Sequence, residues 1–463
     1  MKIRSLTLSL SLVCGMLAGA ATAPKYIFYY IGDGMGMAHA LGAQVYNRTV
    51  LGNDEPILMM QFPVASQCTT HSASSPVTDS AAAGTALATG HKTRNGMLGM
   101  GPDTVAVTSI AAQLHDRGYG VALITSVPPD DATPGAFYAH VPKRSMYYEI
   151  GKQMAENGYE FQAGSHLRGL KDKKDRDTDL LSHFAANDVR IAHGIEQIDT
   201  TARKVLLLNP EPYENEHQIG FTIDSLPGAL NLPDMVEAGL AHIQRVSPEA
   251  FFMMVEGGNI DYGGHANDGG AIIKEVINFN QALRKAYDFY LAHPDETLIL
   301  VTADHETGGM GLGNNTVGYD LHLNYLDYQR ISKDRFADLC RAIRQSRRIY
   351  EWGDMEEFLR ENMGFWGAVP VTDEQTAALR KEFDRCFKGE MPADKKTLYN
   401  SFNTFTEMVY GVMDSVTGLG FTTNGHSGGL VPVYAIGVGA EMFGPMNDNR
   451  ELPEKMRELT GLK

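Results

Sequence analysis

Several things are scarce in this chain, and each shortage excludes a class of protein. Only four cysteines occur in 463 residues, Cys14, Cys68, Cys340 and Cys386, and no two of them are close in sequence. A thiolate metal site needs paired cysteines at short spacing, so none is expected. Beyond the first two dozen residues no segment reaches the ~18 continuous apolar residues of a membrane span. Positive charge is short as well: 40 Lys and Arg against 56 Asp and Glu leave a formal net charge of -16. No Lys/Arg-rich stripe offsets that balance locally, which argues against a nucleic-acid partner. An anionic substrate would then have to be drawn by local metal charge. Internal repeats and low-complexity tracts are absent too.

What is present suits a large globular domain. With 43% hydrophobic residues and 48 glycines the chain can bury one large α/β core or two modest ones, and one domain with insertions is expected. The start reads as an export signal. Lys2 and Arg4 are basic, residues 6–18 are apolar, and Ala18-Gly19-Ala20-Ala21-Thr22-Ala23 offers small residues for cleavage, while Pro24 disfavours cutting directly after Ala23. Residues 1–22 are therefore expected to be a signal peptide and the mature chain, 23–463, to be periplasmic or secreted. Val13 before Cys14 fits lipidation poorly. In an oxidising compartment Cys340 and Cys386, both in one helical stretch, are the pair to consider for a disulfide; the alternative is three buried thiols.

Apolar runs at 26–31, 120–125, 204–208, 250–255, 297–302 and 432–437 read as buried strands, several apolar throughout as parallel strands are. Helical patterns such as 108–116 and 271–291 lie between them. The alternation predicts an α/β fold with a doubly wound, mostly parallel central sheet flanked by helices, whose ligands gather beyond the strands' carboxyl ends. One interval, about 325–420, is polar and helical, with helices expected at 335–348, 355–362 and 373–387. It reads as an insertion packed near the active site as a lid or cap, the alternative being a surface decoration.

The chemistry-bearing residues cluster at the ends of these runs. Ser80, in Pro76-Val77-Thr78-Asp79-Ser80-Ala81-Ala82-Ala83-Gly84, is a hydroxyl set just before a run of small residues that should start a helix. Its company is Asp33, Asp131, Glu256, Asp261, His265, Asp304, His305 and His426. The four-residue spacing of Asp261 and His265 lets a carboxylate and an imidazole reach one cation from a helical turn or a glycine-bent loop. Asp304 and His305 converge only where the backbone bends past a strand end. A lone Asp or His beside glycines is more often a turn former, but together they point to a multi-metal phosphoryl-transfer site. Zinc favours mixed nitrogen and oxygen donors, whereas the all-oxygen set Asp33, Asp131, Thr133 and Glu256 suits magnesium. His39, His71, His91, His140 and His322 lack such placement and read as structural or surface residues.

In these segments the chain resembles the bacterial alkaline phosphatases. The matches are Ile31-Gly32-Asp33-Gly34-Met35-Gly36, Thr78-Asp79-Ser80-Ala81-Ala82 through Thr89-Gly90, Asp131-Ala132-Thr133-Pro134 leading to His140-Val141 and Arg144, Glu256 to His265, Thr302-Ala303-Asp304-His305-Glu306-Thr307, and Gly425-His426. They run in the family's order over almost the whole mature chain. The resemblance implies metal-dependent hydrolysis of small phosphate monoesters with broad specificity, through a phosphoserine on Ser80. It implies two Zn2+, one held by Asp261, His265 and His426 and one by Asp33, Asp304 and His305 that also binds the Ser80 oxygen. One Mg2+ would be held by Asp131, Thr133 and Glu256 with Asp33 bridging, and Arg144 would grip two phosphate oxygens. Asp130 competes with Asp131, which is preferred because it stands in the Asp-Ala-Thr-Pro frame. A homodimer is suggested by the family only. The alternatives are a phosphodiesterase or sulfatase of the same superfamily, although the Cys/Ser-x-Pro-x-Arg pattern is missing around Ser80, and an exported phosphate- or metal-binding protein without turnover.

Overall fold

Strands form where a run can be buried on both faces, and four such runs build the centre of the molecule. In the computed structural model, which describes residues 23–210, 213, 217–346, 350–389 and 392–462, every residue of β1 (Tyr26–Ile31), β3 (Gly120–Thr125), β7 (Phe251–Glu256) and β8 (Thr297–Thr302) is buried. The leader read at residues 1–22 lies outside the described residues. Six further strands complete one sheet: β2 (Val64–Thr69), β4 (Phe161–Ala163), β5 (Val189–His193), β6 (Lys204–Leu208), β9 (Val431–Gly437) and β10 (Asn447–Asp448). The order across the sheet is β10-β2-β9-β8-β1-β7-β3-β4-β6-β5.

Register explains why function concentrates at one edge. Ile31 of β1 stands opposite Glu256 of β7 and Thr302 of β8, and Thr125 of β3 also stands opposite Glu256. Four parallel strands thus end on one line, and the segments that follow them start side by side. The strand β9 runs antiparallel to β8 and β2. Apolar composition at 432–437 carries no direction. The reversal follows from connectivity, because the chain enters β9 from His426 at the edge where the parallel strands leave. Helices including Met37–Thr49, Leu232–Val246 and Gly269–Ala292 pack against the sheet. Among the described residues no helix is long and apolar enough to cross a membrane.

Between β8 and His426 lie the helices Lys333–Gln345, Trp352–Met363, Asp373–Phe387 and Thr404–Thr417. Phe336, Met355, Leu359, Phe383 and Phe405 bury their side chains among them. Cys340 and Cys386 sit there as free, buried thiols, as does Cys68 in β2. Thr406 Oγ1 donates to Cys340 Sγ at 3.7 Å and Thr404 Oγ1 lies 3.3 Å from Cys386 Sγ, so both sulfurs have hydroxyl neighbours.

Candidate active site

Ser80 is the first residue of the helix Ser80–Thr89, and it is 1% exposed. Asp79 makes it so by capping the helix: its Oδ1 accepts from Ala82 N at 3.0 Å and its Oδ2 from Gly96 N at 3.0 Å. A cap of this kind contributes about 1 kcal/mol and leaves the positive end of the helix beside the serine. Ser80 Oγ is 3.1 Å from His305 Nε2.

Around His305 the carboxylates and imidazoles close in. His305 Nε2 is 3.2 Å from Asp304 Oδ2 and 3.4 Å from Asp33 Oδ1, and the ligand atoms of these three residues lie within 4.8 Å of one another. Asp261, His305 and His426 form a second such group. His265 joins that second group, its Nε2 lying 3.3 Å from Asp261 Oδ2 and 3.2 Å from His426 Nε2. The helix Asn259–Ala266 puts Asp261 and His265 one turn apart on one face. The bend needed after β8 is held by Asp304 Oδ1, which accepts from His305 N at 2.9 Å and from Gly34 N at 3.1 Å. Gly34 has φ 71°, and a Cβ there would meet Asp261 Cα at 2.9 Å and Thr307 Oγ1 at 2.8 Å. No other residue fits that close approach.

The imidazoles are oriented as ligands. His265 Nδ1 donates to Asn424 O at 2.6 Å and His426 Nδ1 donates to Thr78 O at 2.8 Å, which leaves each Nε2 with its lone pair toward the cluster. Burial lowers the pKa of His426, and burial followed by the neighbouring His426 pushes His305 well below the ordinary imidazole value. Neutral imidazole is the ligating form. Burial pushes Asp304 up to about 7 and Glu256 up to about 8, and it raises Asp33 well above the carboxylate range, with Asp304, Asp261 and Glu256 adding to that rise. For Asp261, burial is outweighed by His265, His426 and His305, and its pKa falls.

These groups fit divalent cations on the structure's own terms. Asp33 Oδ1, Asp304 Oδ2 and Thr133 Oγ1 are buried with no hydrogen-bond partner. Each such orphan costs about 1–3 kcal/mol unless something fills it. Like charges this close cannot all ionise without a cation between them. The donor set is nitrogen and oxygen at the two histidine groups, and oxygen at Thr133 and Glu256 beside Asp33. Thr125 Oγ1 donates to Glu256 Oε2.

Asp131 is engaged differently. Its Oδ1 accepts from Ala132 N at 2.8 Å and from Arg144 Nη2 at 3.2 Å, while its Oδ2 is 3.3 Å from Arg168 Nη2. Arg144 Nη1 also reaches Asp79 Oδ2 at 3.5 Å. Asp130, the neighbour that competed with Asp131 in the sequence, turns the other way: its two oxygens accept from the backbone N–H groups of Arg168 at 3.1 Å and Gly169 at 2.7 Å. Adjacent aspartates therefore do different work.

Three contributors escaped sequence reasoning. Asp79 lies inside the serine motif, and its N-cap position was a readable signal. Arg168, between Leu167 and Gly169-Leu170, carried none. Tyr399, from the insertion, stacks on Tyr262 with ring centroids 3.8 Å apart, stands edge-on to His265 at 5.2 Å, and donates its hydroxyl to Asp261 Oδ2 at 3.4 Å.

A serine on a helix N-terminus, two histidine–carboxylate groups and an arginine fork in one sheet edge coincide with a match of the alkaline phosphatase family profile to residues 24–177 and 149–462. The chain belongs to the alkaline phosphatase family. Alkaline phosphatase 3 of Bacillus subtilis (strain 168) is 27% identical over 449 residues, covering 93% of this chain and 88% of the relative. A cold-active alkaline phosphatase from the psychrophile Shewanella sp. superposes with a TM-score of 0.79 at 26% identity, over 94% of this chain and 99% of that one. The Thermus thermophilus alkaline phosphatase gives 0.77 at 25% identity, over 98% and 96%. The large, mostly parallel sheet flanked by helices is the fold of these structures. Family membership makes the chain a phosphoric monoester hydrolase.

Proposed function

We propose that this alkaline phosphatase hydrolyses small phosphate monoesters of broad identity in two displacements, with Ser80 carrying the phosphoryl group between them. The observation that carries the reading is Ser80 Oγ, at the positive end of its helix and 3.1 Å from the shared imidazole His305 Nε2. Zinc would be held by Asp261, His265 and His426 and by Asp33, Asp304 and His305, and magnesium by Thr133, Glu256, Asp131 and Asp33. When bound, such cations supply Lewis acidity that eases loss of a hydroxyl proton and stabilises departing oxyanions.

The chain's own groups do the rest. Ser80 Oγ gives up its proton to solvent and forms the bond to phosphorus as the bond from phosphorus to the ester oxygen breaks, and that oxygen takes up a proton from solvent to leave as the alcohol. The helix N-terminus favours the negative charge on the serine. Arg144 presents two N–H donors to non-bridging oxygens, which suits a loose transition state with charge spread over them. Water then attacks the phosphoserine from the opposite side, Ser80 Oγ leaves, and inorganic phosphate departs. Two in-line displacements retain configuration at phosphorus. Binding contacts fall on the phosphate, so the alcohol is weakly selected. The insertion at about 325–420, through Tyr399, caps one flank, and export of the mature chain from residue 23 places the reaction in the periplasm or outside the cell.

The test is Ser80→Ala. Its kcat is expected to fall about 1,000-fold or more, with bound metal unchanged. Wild type incubated with radioactive phosphate and quenched in acid should carry label on the Ser80 peptide. Equal labelling of the variant would remove Ser80 as nucleophile.

A further inference from the structure

Arg168 enters the site from outside every motif that the proposed chemistry uses. Its turn is fixed by Asp130, whose carboxylate accepts the backbone N–H groups of Arg168 and Gly169. Its side chain, 18% exposed, is fixed just as firmly. Nη1 donates to Tyr147 Oη at 2.9 Å, Nη2 donates to Tyr262 Oη at 2.8 Å, and the guanidinium lies over the Tyr147 ring at 5.2 Å. Nη2 also stands 3.3 Å from Asp131 Oδ2, on the far side of the carboxylate from Arg144.

One carboxylate therefore lies between two guanidinium groups, and the charge count shows why that matters. Arg144 has Asp131 and Asp79 as neighbours, two negative charges against its one positive. Left so, its charge would be taken up by its own two counter-ions, with less of it available to a phosphate dianion. Arg168 supplies the second positive charge and takes one of the two Asp131 oxygens. Arg144 is then free to face the substrate while Asp131 still steers it. We propose that Arg168 is a positioning residue for the phosphate site, acting through Asp131 to keep Arg144 oriented and electrostatically available to a phosphate dianion.

The proposal rests on the phosphomonoesterase reading, and the experiment separates the two. The mature chain, loaded with zinc and magnesium, is compared as wild type, Arg168→Met, Arg168→Lys and Tyr262→Phe. Measured are competitive inhibition by inorganic phosphate, KM and kcat on p-nitrophenyl phosphate, and bound metal by plasma emission. Removing the unit of charge that pairs with Asp131 Oδ2 should weaken phosphate about tenfold or more in Arg168→Met. KM should rise in parallel and kcat should change less than KM, with bound metal at the wild-type level. Arg168→Lys, which restores the charge without the fork, should recover part of the loss. Tyr262→Phe keeps the ring and removes one partner of Arg168, so a severalfold weakening is expected; it carries the test if the Met variant fails to fold. Phosphate inhibition within twofold of wild type in both Arg168→Met and Tyr262→Phe would overturn the proposal. So would a Lys variant no better than Met, or a loss explained entirely by missing metal, since Arg168 would then serve packing or the cations rather than Arg144. If wild type itself fails to turn over the ester, the phosphomonoesterase reading falls instead.

Discussion

Two regions of this molecule bury comparable amounts of charge, and they handle it in opposite ways. At the junction of the insertion with the sheet, Asp268 Oδ1 accepts from Gln329 Nε2 at 2.7 Å and from Ala271 N at 3.0 Å, and its Oδ2 accepts from Lys333 N at 2.7 Å. Lys333, 2% exposed, donates Nζ to Ala266 O at 2.7 Å and stands 3.2 Å from Glu407. Asp224 takes both the backbone and the hydroxyl of Ser332. Most acid there is matched by donors from the chain itself, with Asp334 Oδ1 and Glu407 Oε1 left without a hydrogen bond. At the sheet edge Asp33, Asp304, Glu256 and Asp261 crowd together, and Asp33 Oδ1 and Asp304 Oδ2 have no hydrogen-bond partner, only the His305 imidazole beside them. The junction sets a buried lysine and backbone donors against its acids, whereas the sheet edge turns its carboxylates toward one another and toward imidazoles suited to hold cations.

The sharpest way to break that comparison is to withdraw the cations. Chelation should abolish turnover, with zinc plus magnesium restoring it. Thermal stability should fall too, because the crowded carboxylates regain their repulsion. Lys333→Met is the opposite case. Leaving Asp268 and Glu407 without their buried cation should cost about 3–5 kcal/mol of stability, yet kcat of the folded fraction should stay near wild type. Turnover assays beside calorimetry on both samples check this. A chelated protein that retains activity would erase the distinction between the regions.

The sequence made the sheet edge more readable than the junction, for a physical reason. Runs buried on both faces, such as 26–31 and 297–302, announce themselves by continuous apolar composition. The three-residue Phe161–Ala163 and the alternating Val189–His193 do not, being too short or half polar. Nor does composition reveal that β9 runs antiparallel. Candidate residues such as Asp33, Glu256 and Asp304 could be picked out because they sit where strands end, and the aligned ends of β1, β7 and β8 then bring them together. Arg168 reaches Tyr262 across 94 residues and Tyr399 reaches Asp261 across 138. Contacts of that range have no spacing to read. The helix 373–387 was legible to the residue, its capping box of Thr372 and Gln375 being local, while what the insertion touches was not.

Tyr399 tests whether the insertion is part of the site. It is the point at which the insertion lies against the Asp261 and His265 side chains. Tyr399→Ala removes the ring that stacks on Tyr262, and kcat/KM should fall about tenfold. Tyr399→Phe removes only a 3.4 Å hydrogen bond and should cost about threefold or less. Steady-state kinetics at fixed metal concentration distinguish them. Activity in Tyr399→Ala equal to wild type would make the insertion a decoration of the surface.

The smallest effect concerns the junction's own acids. Burial pushes Asp224 up to about 6 and both Asp334 and Glu275 up to about 7. An acid whose folded pKa exceeds its unfolded value binds its proton more tightly when folded. Its contribution to stability is complete below pH ~4 and is lost as pH rises through 6 to 7. Docking of the insertion should thus weaken between about pH 4 and 7, where the carboxylates at the sheet edge, ionised once cations are bound, should not change. Thermal unfolding across that range, with zinc and magnesium in excess, should show a decline that Asp334→Asn flattens by about 1–2 °C, because an amide has no proton to lose. Should Asp334→Asn leave the slope as steep as wild type, the pH response belongs to the sheet edge, and the two regions are less different than their hydrogen bonds make them.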